Sequence, residues 1–367
     1  MKRALFVSSL IALSACQTSA PQPTNWSATP KYKIADLKTP VATLPSFKMS
    51  IEAPFVKVPL GLDPENLNIP TNNPLTPEKV ELGKMLYFDT RLSADGSVSC
   101  ATCHNPEKGW TDQLPVSSGI RAQKGGRSAP TVINSTLMVE QFWDGRAATL
   151  EDQALGPLVN PIEMGNPNHE TVTQRVQAIP SYVPYFQKAF HEGVTKQNIG
   201  KAIASFERTV LSGNSRYDRY TAGETSAMNT SEVNGMNLFF GKANCTRCHA
   251  GPNFSDSMYH NLGIGMDKPT PDQGRFVVSK QEQDIGAFKT PTIRDITKTA
   301  PYMHDGSEAT LEAVVELYDR GGNKNTHLDP RMEPLNLSPQ EKSDLVNFMK
   351  ALDGNPYPKI TPPKLPE

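Results

Sequence analysis

The pentapeptide Cys-x-x-Cys-His occurs twice, as Cys100-Ala101-Thr102-Cys103-His104 and as Cys245-Thr246-Arg247-Cys248-His249. No other feature constrains the fold as much, because this spacing attaches c-type haem. The two thiols of each copy add across the two vinyl groups of one porphyrin. The adjoining histidine is then close enough to ligate the iron from one face. Cys-x-x-Cys also opens zinc ribbons, but a ribbon needs a second close pair, and neither copy has one nearby. The chain is therefore expected to fold around two c-type haems.

A chain of 367 residues allows two domains of ordinary size, and its net charge of -1 argues against nucleic acid as a partner. Four of the five cysteines are taken by haem, which leaves no pair for a disulfide. With 32 Pro, 25 Gly and 37% hydrophobic residues, much of the chain is expected to be irregular loop, with buried porphyrin supplementing a modest core.

The fifth cysteine, Cys16, ends a stretch in which Lys2 and Arg3 precede an apolar run closing in Leu13-Ser14-Ala15-Cys16. This reads as an export signal over residues 1–16, too short for a spanning helix. The ending resembles a bacterial lipobox, with Cys16 lipidated; ordinary cleavage nearby, discarding Cys16, is the alternative. Gln17 after the cysteine favours the outer membrane by the same resemblance, so the expected location is the periplasm, as an anchored lipoprotein.

Residues 17–70 are rich in Pro, Thr, Ser and Lys and read as a tether and extended wrapping segment. A helix is expected from Thr76-Pro77 to about Phe88. Gly83-Lys84-Met85-Leu86-Tyr87-Phe88 leads into the first haem motif as Gly235-Met236-Asn237-Leu238-Phe239-Phe240 leads into the second, and Trp110-Thr111-Asp112 answers Phe254-Ser255-Asp256. The chain is thus duplicated. Each unit closes with apolar residues at helical spacing: Ile199, Ile203, Phe206 and Val210 before Gly213, and Leu345, Phe348 and Leu352 before Gly354. Strand patterning is weak, with short stretches such as Thr131-Val132-Ile133. The fold class is mainly α: two tandem cytochrome c-like domains, 71–213 and 214–360, each carrying one covalently attached haem.

An iron held by one histidine does chemistry only if its opposite face stays open. The loop from Asn105 to Pro130 contains neither histidine nor methionine. Cys-His-Asn-Pro-Glu-Lys-Gly-Trp at 103–110, Ala-Pro-Thr at 129–131, Gln-Phe-Trp-Asp-Gly-Arg-Ala at 141–147 and Glu163-Met164 resemble the bacterial di-haem cytochrome c peroxidases and their MauG branch. So do Phe288-Lys289-Thr290-Pro291-Thr292 and Thr299-Ala300-Pro301-Tyr302-Met303-His304-Asp305-Gly306. The resemblance spans roughly residues 70–355.

It implies that the first haem reacts with hydrogen peroxide, with Glu163 as distal acid-base group and Trp143 as a relay between the haems. It also implies that His304 borders the second haem pocket. Two positions depart from the typical peroxidase. Where a histidine blocks the first haem until reduction, this chain has Ile120, which cannot bind iron. Where methionine ligates the second iron, it has Tyr318, the MauG pattern; the rivals Met258 and Met332 stay open at this point. Family members commonly hold calcium between the haems. Its carbonyl donors map to Thr299 and Pro301, and the asparagine donor is replaced by Ser128, which weakens the site. His260 follows the second motif and is a candidate to frame that haem, whereas His169, His191 and His327 read as surface residues.

The reading is an exported di-haem c-type peroxidase, reducing hydrogen peroxide with electrons from a periplasmic cytochrome c or cupredoxin. One alternative is MauG-like oxidation of residues in a partner protein. A second, from another class, is a non-catalytic di-haem electron carrier.

Overall fold

Thr76 starts the first helix as its sequence predicts: its hydroxyl accepts a hydrogen bond from the Lys79 N–H at 3.3 Å, with Pro77 at the first helical position. The structure is a computed structural model that describes residues 56–367. The export signal, Cys16 and most of the tether lie outside the described residues. Helices dominate: α1 (Pro77–Phe88), α2 (Cys100–Cys103), α3 (Leu150–Val159), α4 (His169–Gln177), α5 (Val183–Phe190) and α6 (Lys196–Glu207). They continue as α7 (Arg216–Thr221), α8 (Thr230–Phe240), α9 (Phe276–Ser279), α10 (Leu311–Asp319) and α11 (Pro339–Lys350). The strands named among the described residues are β1 (Tyr259–His260) and β2 (Phe288–Lys289), paired antiparallel.

The alternating stretch at Thr131 forms no strand. The Thr131 hydroxyl donates to the Gly109 carbonyl at 2.7 Å and accepts from the Ile133 N–H at 3.1 Å, which turns the chain locally. The closing helices also stop before their apolar spacing does. α6 ends at Glu207 and α11 at Lys350, while Val210 and Leu352 lie beyond them. The carbonyls of Val210 and Leu352 instead accept from Asn134 N at 2.9 Å and Asp295 N at 3.4 Å.

The duplication is repeated in the packing. α1 crosses α6 so closely that a Cβ on Gly83 would collide with the Ala202 carbonyl and Phe206. Gly235 of α8 meets Asp344 and Phe348 of α11 in the same way. Beside each crossing sits an aromatic trio: Tyr87, Trp110 and Phe206 in the first unit, Phe239, Phe254 and Phe348 in the second. Ring centroids lie 5.1–6.1 Å apart in the first trio and 5.1–6.5 Å apart in the second, the tilted and edge contacts that aromatic quadrupoles favour. Buried apolar residues gather into one core running from Leu82 to Val210 and another from Met228 to Leu352.

Two extended segments bind across these cores. The Arg208 guanidinium donates to the Asn68 carbonyl at 2.8 Å, and Arg294 donates to the Gly61 carbonyl at 2.9 Å. After α11 the chain returns to the first core, where Trp110 donates to the Pro358 carbonyl at 3.1 Å and Tyr357 to the Pro106 carbonyl at 2.7 Å.

Candidate functional site

In the first unit the one-turn helix α2 is tied at its start by the Ser99 N–H, which donates to the Thr102 hydroxyl at 2.9 Å. It presents Cys100 and Cys103 one turn apart, followed by His104. His104 Nδ1 donates to the Pro130 carbonyl at 2.9 Å, and in the second unit His249 Nδ1 donates to the Phe254 carbonyl at 2.9 Å. Each bond fixes the tautomer and leaves Nε2 as the free lone pair, the orientation a haem-ligating histidine needs. Burial lowers the proton affinity of both imidazoles, which keeps them neutral. Cys100, Cys103, Cys245 and Cys248 form no disulfides.

A cavity of about 240 Å³ is walled mainly by apolar side chains and carries Cys245, Cys248, His249 and Tyr318. The donor set and this cavity fit a covalently attached haem. Tyr318 comes from α10, which Thr310 caps by accepting from the Ala313 N–H at 3.1 Å. Burial raises the proton affinity of its phenol strongly. Of the rival ligands, Met258 is 59% exposed, and Met332 is not on the cavity wall.

Asp144-Gly145-Arg146-Ala147-Ala148-Thr149-Leu150-Glu151 answers Asp305-Gly306-Ser307-Glu308-Ala309-Thr310-Leu311-Glu312 without a gap, with Thr149 and Thr310 capping α3 and α10. Continued along the two helices, this register sets Pro157 where the second unit has Tyr318. A proline has no side-chain donor for iron, so the two units differ in donor chemistry at this register position.

Glu163 does not stand on a helix; it lies in the turn after α3. Its Oε1 accepts from Asn160 Nδ2 at 3.0 Å, and its backbone carbonyl accepts from the Ile120 N–H at 2.9 Å. Burial raises the proton affinity of this carboxyl, and Arg146 partly offsets that. The Ile120 side chain is buried against Gly165, whose φ of +69° brings the backbone close.

Trp143 lines the cavity and donates Nε1–H to the Ser128 carbonyl at 3.0 Å. The Ser128 hydroxyl is spent on the Met303 carbonyl at 3.0 Å. With Thr299 and Pro301 on the same wall, the expected calcium donors are three neutral oxygens without a carboxylate. His304 is buried and stacks on Phe288 with centroids 3.6 Å apart, and burial lowers its pKa to about 4. His260 lies on the cavity wall between Asp256 at 2.9 Å and Asp329 at 2.8 Å, and these carboxylates hold it protonated with a pKa of about 11. His169 bonds to the Leu155 carbonyl at 2.9 Å.

Two groups escaped the sequence reading. Arg127 clamps Asp272 at 2.7 and 2.8 Å and Asp144 at 2.7 Å, which braces the loop carrying Trp143. Lys289 lines the cavity, with burial lowering its pKa to about 8 and only Glu140 opposing. Its signal stood in Phe288-Lys289-Thr290, but a lysine in sequence gives no sign that it is buried.

A sequence profile described as di-haem cytochrome c peroxidase matches residues 77–226. A methylamine utilization protein MauG of Methylorubrum extorquens is 42% identical over 305 residues, which is 83% of this chain and 86% of that protein. A cytochrome c551 peroxidase of Nitrosomonas europaea is 40% identical over 331 residues, 88% of this chain and 94% of the relative. Among solved structures, a MauG-like protein associated with microbial copper homeostasis superposes with a TM-score of 0.74 at 34% identity, covering 83% of this chain and 95% of that one.

Proposed function

This chain belongs to the di-haem cytochrome c peroxidase family, and from that premise we propose that hydrogen peroxide reacts on the His104 side while the His249 side stores and passes on the second oxidising equivalent. The observation that carries the assignment is the contrast between Pro157 and Tyr318 at equivalent places in the two units. The first unit offers Ile120 and Pro157, neither of which binds iron, and the second offers a phenol.

Bound through Cys100, Cys103 and His104, a c-type haem would supply the electrons that cleave the O–O bond of peroxide. Glu163 works on the protons. With Oε1 held by Asn160, its carboxylate would take the proton from one peroxide oxygen and return it to the other, which leaves as water. The raised proton affinity of Glu163 suits a group that must both accept and donate near neutral pH. Ile120 and Gly165 exclude a competing ligand and keep the site apolar. Trp143 serves as the electron relay, positioned through Ser128 and the Arg127–Asp144 pair. Tyr318 would hold the second iron, and a charge-donating phenol oxygen there would favour its ferric and more oxidised states. Calcium, if taken up by Thr299, Pro301 and Ser128, has three neutral donors, and no step runs through it.

The electrons come from a protein: a periplasmic cytochrome c or cupredoxin docked on the surface. A second reading, peroxide-dependent oxidation of residues in a partner protein, is favoured by Tyr318 and is in line with relatives named MauG. The export signal at residues 1–16 and a lipid on Cys16 would hold the protein at the outer membrane, facing the periplasm. No helix among the described residues is long and apolar enough to cross a membrane.

The untreated oxidised protein tests the assignment by visible and electron paramagnetic resonance spectra. One high-spin, peroxide-reactive haem is expected; two low-spin, inert haems would make the protein a carrier. Peroxide-driven turnover of reduced cytochrome c then separates the readings, since rates near background favour protein modification.

A further inference from the structure

Glu207, on α6, is 5% exposed, and its Oε2 has no hydrogen-bonding partner among the described residues. An unpaired carboxyl in that setting is costly unless it stays protonated, so its presence calls for a reason. Its charged neighbours do not satisfy it. Arg208 is committed to Glu151 on α3 at 2.7 and 2.9 Å, and Tyr87 on α1 donates its hydroxyl to the His104 carbonyl at 2.9 Å. Glu151 adds a like charge, and the Cys100 thiol on α2 feels the carboxylate of Glu207.

The internal repeat shows which way Glu207 faces. Gly83 receives Ala202 and Phe206 as Gly235 receives Asp344 and Phe348, so Glu207 is the counterpart of Met349 and Ile203 that of Leu345. Leu345 and Met349 both line the cavity that holds His249. By this register Glu207 occupies in the first unit the place that Met349, an uncharged thioether, occupies in the second, and it is close enough to Cys100 for its charge to be felt there.

We propose that Glu207 couples a proton to the electron at the first haem: on reduction one electron enters the iron and one proton from solvent enters the Glu207 carboxylate, and on oxidation both leave. A ferric porphyrin core carries one net positive charge that favours the carboxylate, and reduction removes that charge. Burial, with Glu151 adding to it and Arg208 opposing, pushes the Glu207 pKa up to about 8. Oxidised states of the first iron thus gain a nearby negative charge, which the second iron, beside Met349, does not. The role is independent of Glu163 and of which iron meets peroxide.

Spectroelectrochemical titration of the haem-loaded protein between about pH 6 and 10 tests the coupling. The first haem is expected to become harder to reduce as pH rises, approaching tenfold in the reduction equilibrium per pH unit, or 59 mV for a one-electron couple. That slope should disappear in Glu207→Gln and in Glu207→Met, the latter supplying the side chain the second unit already uses. A slope that is absent from the native protein, or that persists in either variant, overturns the proposal. Should neither variant take up haem, redox-difference infrared spectra of the native protein decide. A protonated carboxyl band that is lost on oxidation and persists in Glu163→Gln supports the coupling, and its absence refutes it.

Discussion

Ile120 donates its backbone N–H to the carbonyl of Glu163 at 2.9 Å and lays its side chain against Gly165. One hydrogen bond thus joins Ile120, which we propose leaves the first haem open, to Glu163, which we propose handles its protons. Ile120→His would place an imidazole beside Glu163. The oxidised protein is expected to lose its high-spin signal and to react with peroxide only after reduction. If the capped form reaches about 99%, the observed rate falls about 100-fold. Electron paramagnetic resonance and stopped-flow mixing with peroxide check this; an unchanged high-spin signal with a loaded haem counts against it.

Glu163→Gln keeps the hydrogen bond from Asn160 but cannot take a proton. Peroxide cleavage should slow by roughly 10²–10⁴ while haem content is unchanged. The base form of Glu163 is needed, so the native rate should fall as pH drops through its pKa. Burial raises that pKa, so the acid limb lies above the usual carboxylate range. Rapid-mixing rates against pH should show this limb in the native protein and none in the variant.

Asp218 and Arg294 form a buried pair at 2.8 and 2.9 Å, and Arg294 also donates to the carbonyls of Gly61 and Pro252. Removing one partner leaves a charge without compensation. Asp218→Asn is expected to destabilise the fold by about 3–5 kcal/mol. Denaturant unfolding followed by far-ultraviolet circular dichroism measures it, and a loss within experimental scatter would show that water reaches the guanidinium.

Local patterns carried much of this architecture in the sequence. The two haem motifs, the Thr76 cap and the paired glycine-led helices are all short-range signals, and each corresponds to a feature of the structure. What escaped depends on packing. The contact of Glu163 with Ile120 crosses a long loop, and His260 is held by Asp329, far along the chain. The burial of Glu207 and Lys289 follows from a helix crossing and a cavity wall, and a Glu-Arg or Phe-Lys dipeptide says nothing of either. The Pro157–Tyr318 contrast is a different case, because its signal, Ala-Thr-Leu-Glu in both units, lies wholly in the sequence. It emerges once the caps of α3 and α10 set the register.

That contrast yields the last prediction. Tyr318 shares the cavity wall with His249, and its phenol is the group that distinguishes this unit from one bearing Pro157. Tyr318→Phe removes the donor oxygen and keeps the ring, so the second haem should turn high-spin and become open to added ligands such as cyanide. Tyr318→Met replaces a charge-donating oxygen by a thioether, which stabilises the ferrous state. The potential of the second haem should rise, and reduced cytochrome c should become a better donor to it. Spectroelectrochemistry of both variants beside the native protein reads these shifts. If neither the spin state nor the potential of the second haem moves, Tyr318 is a packing residue and another side chain holds that iron.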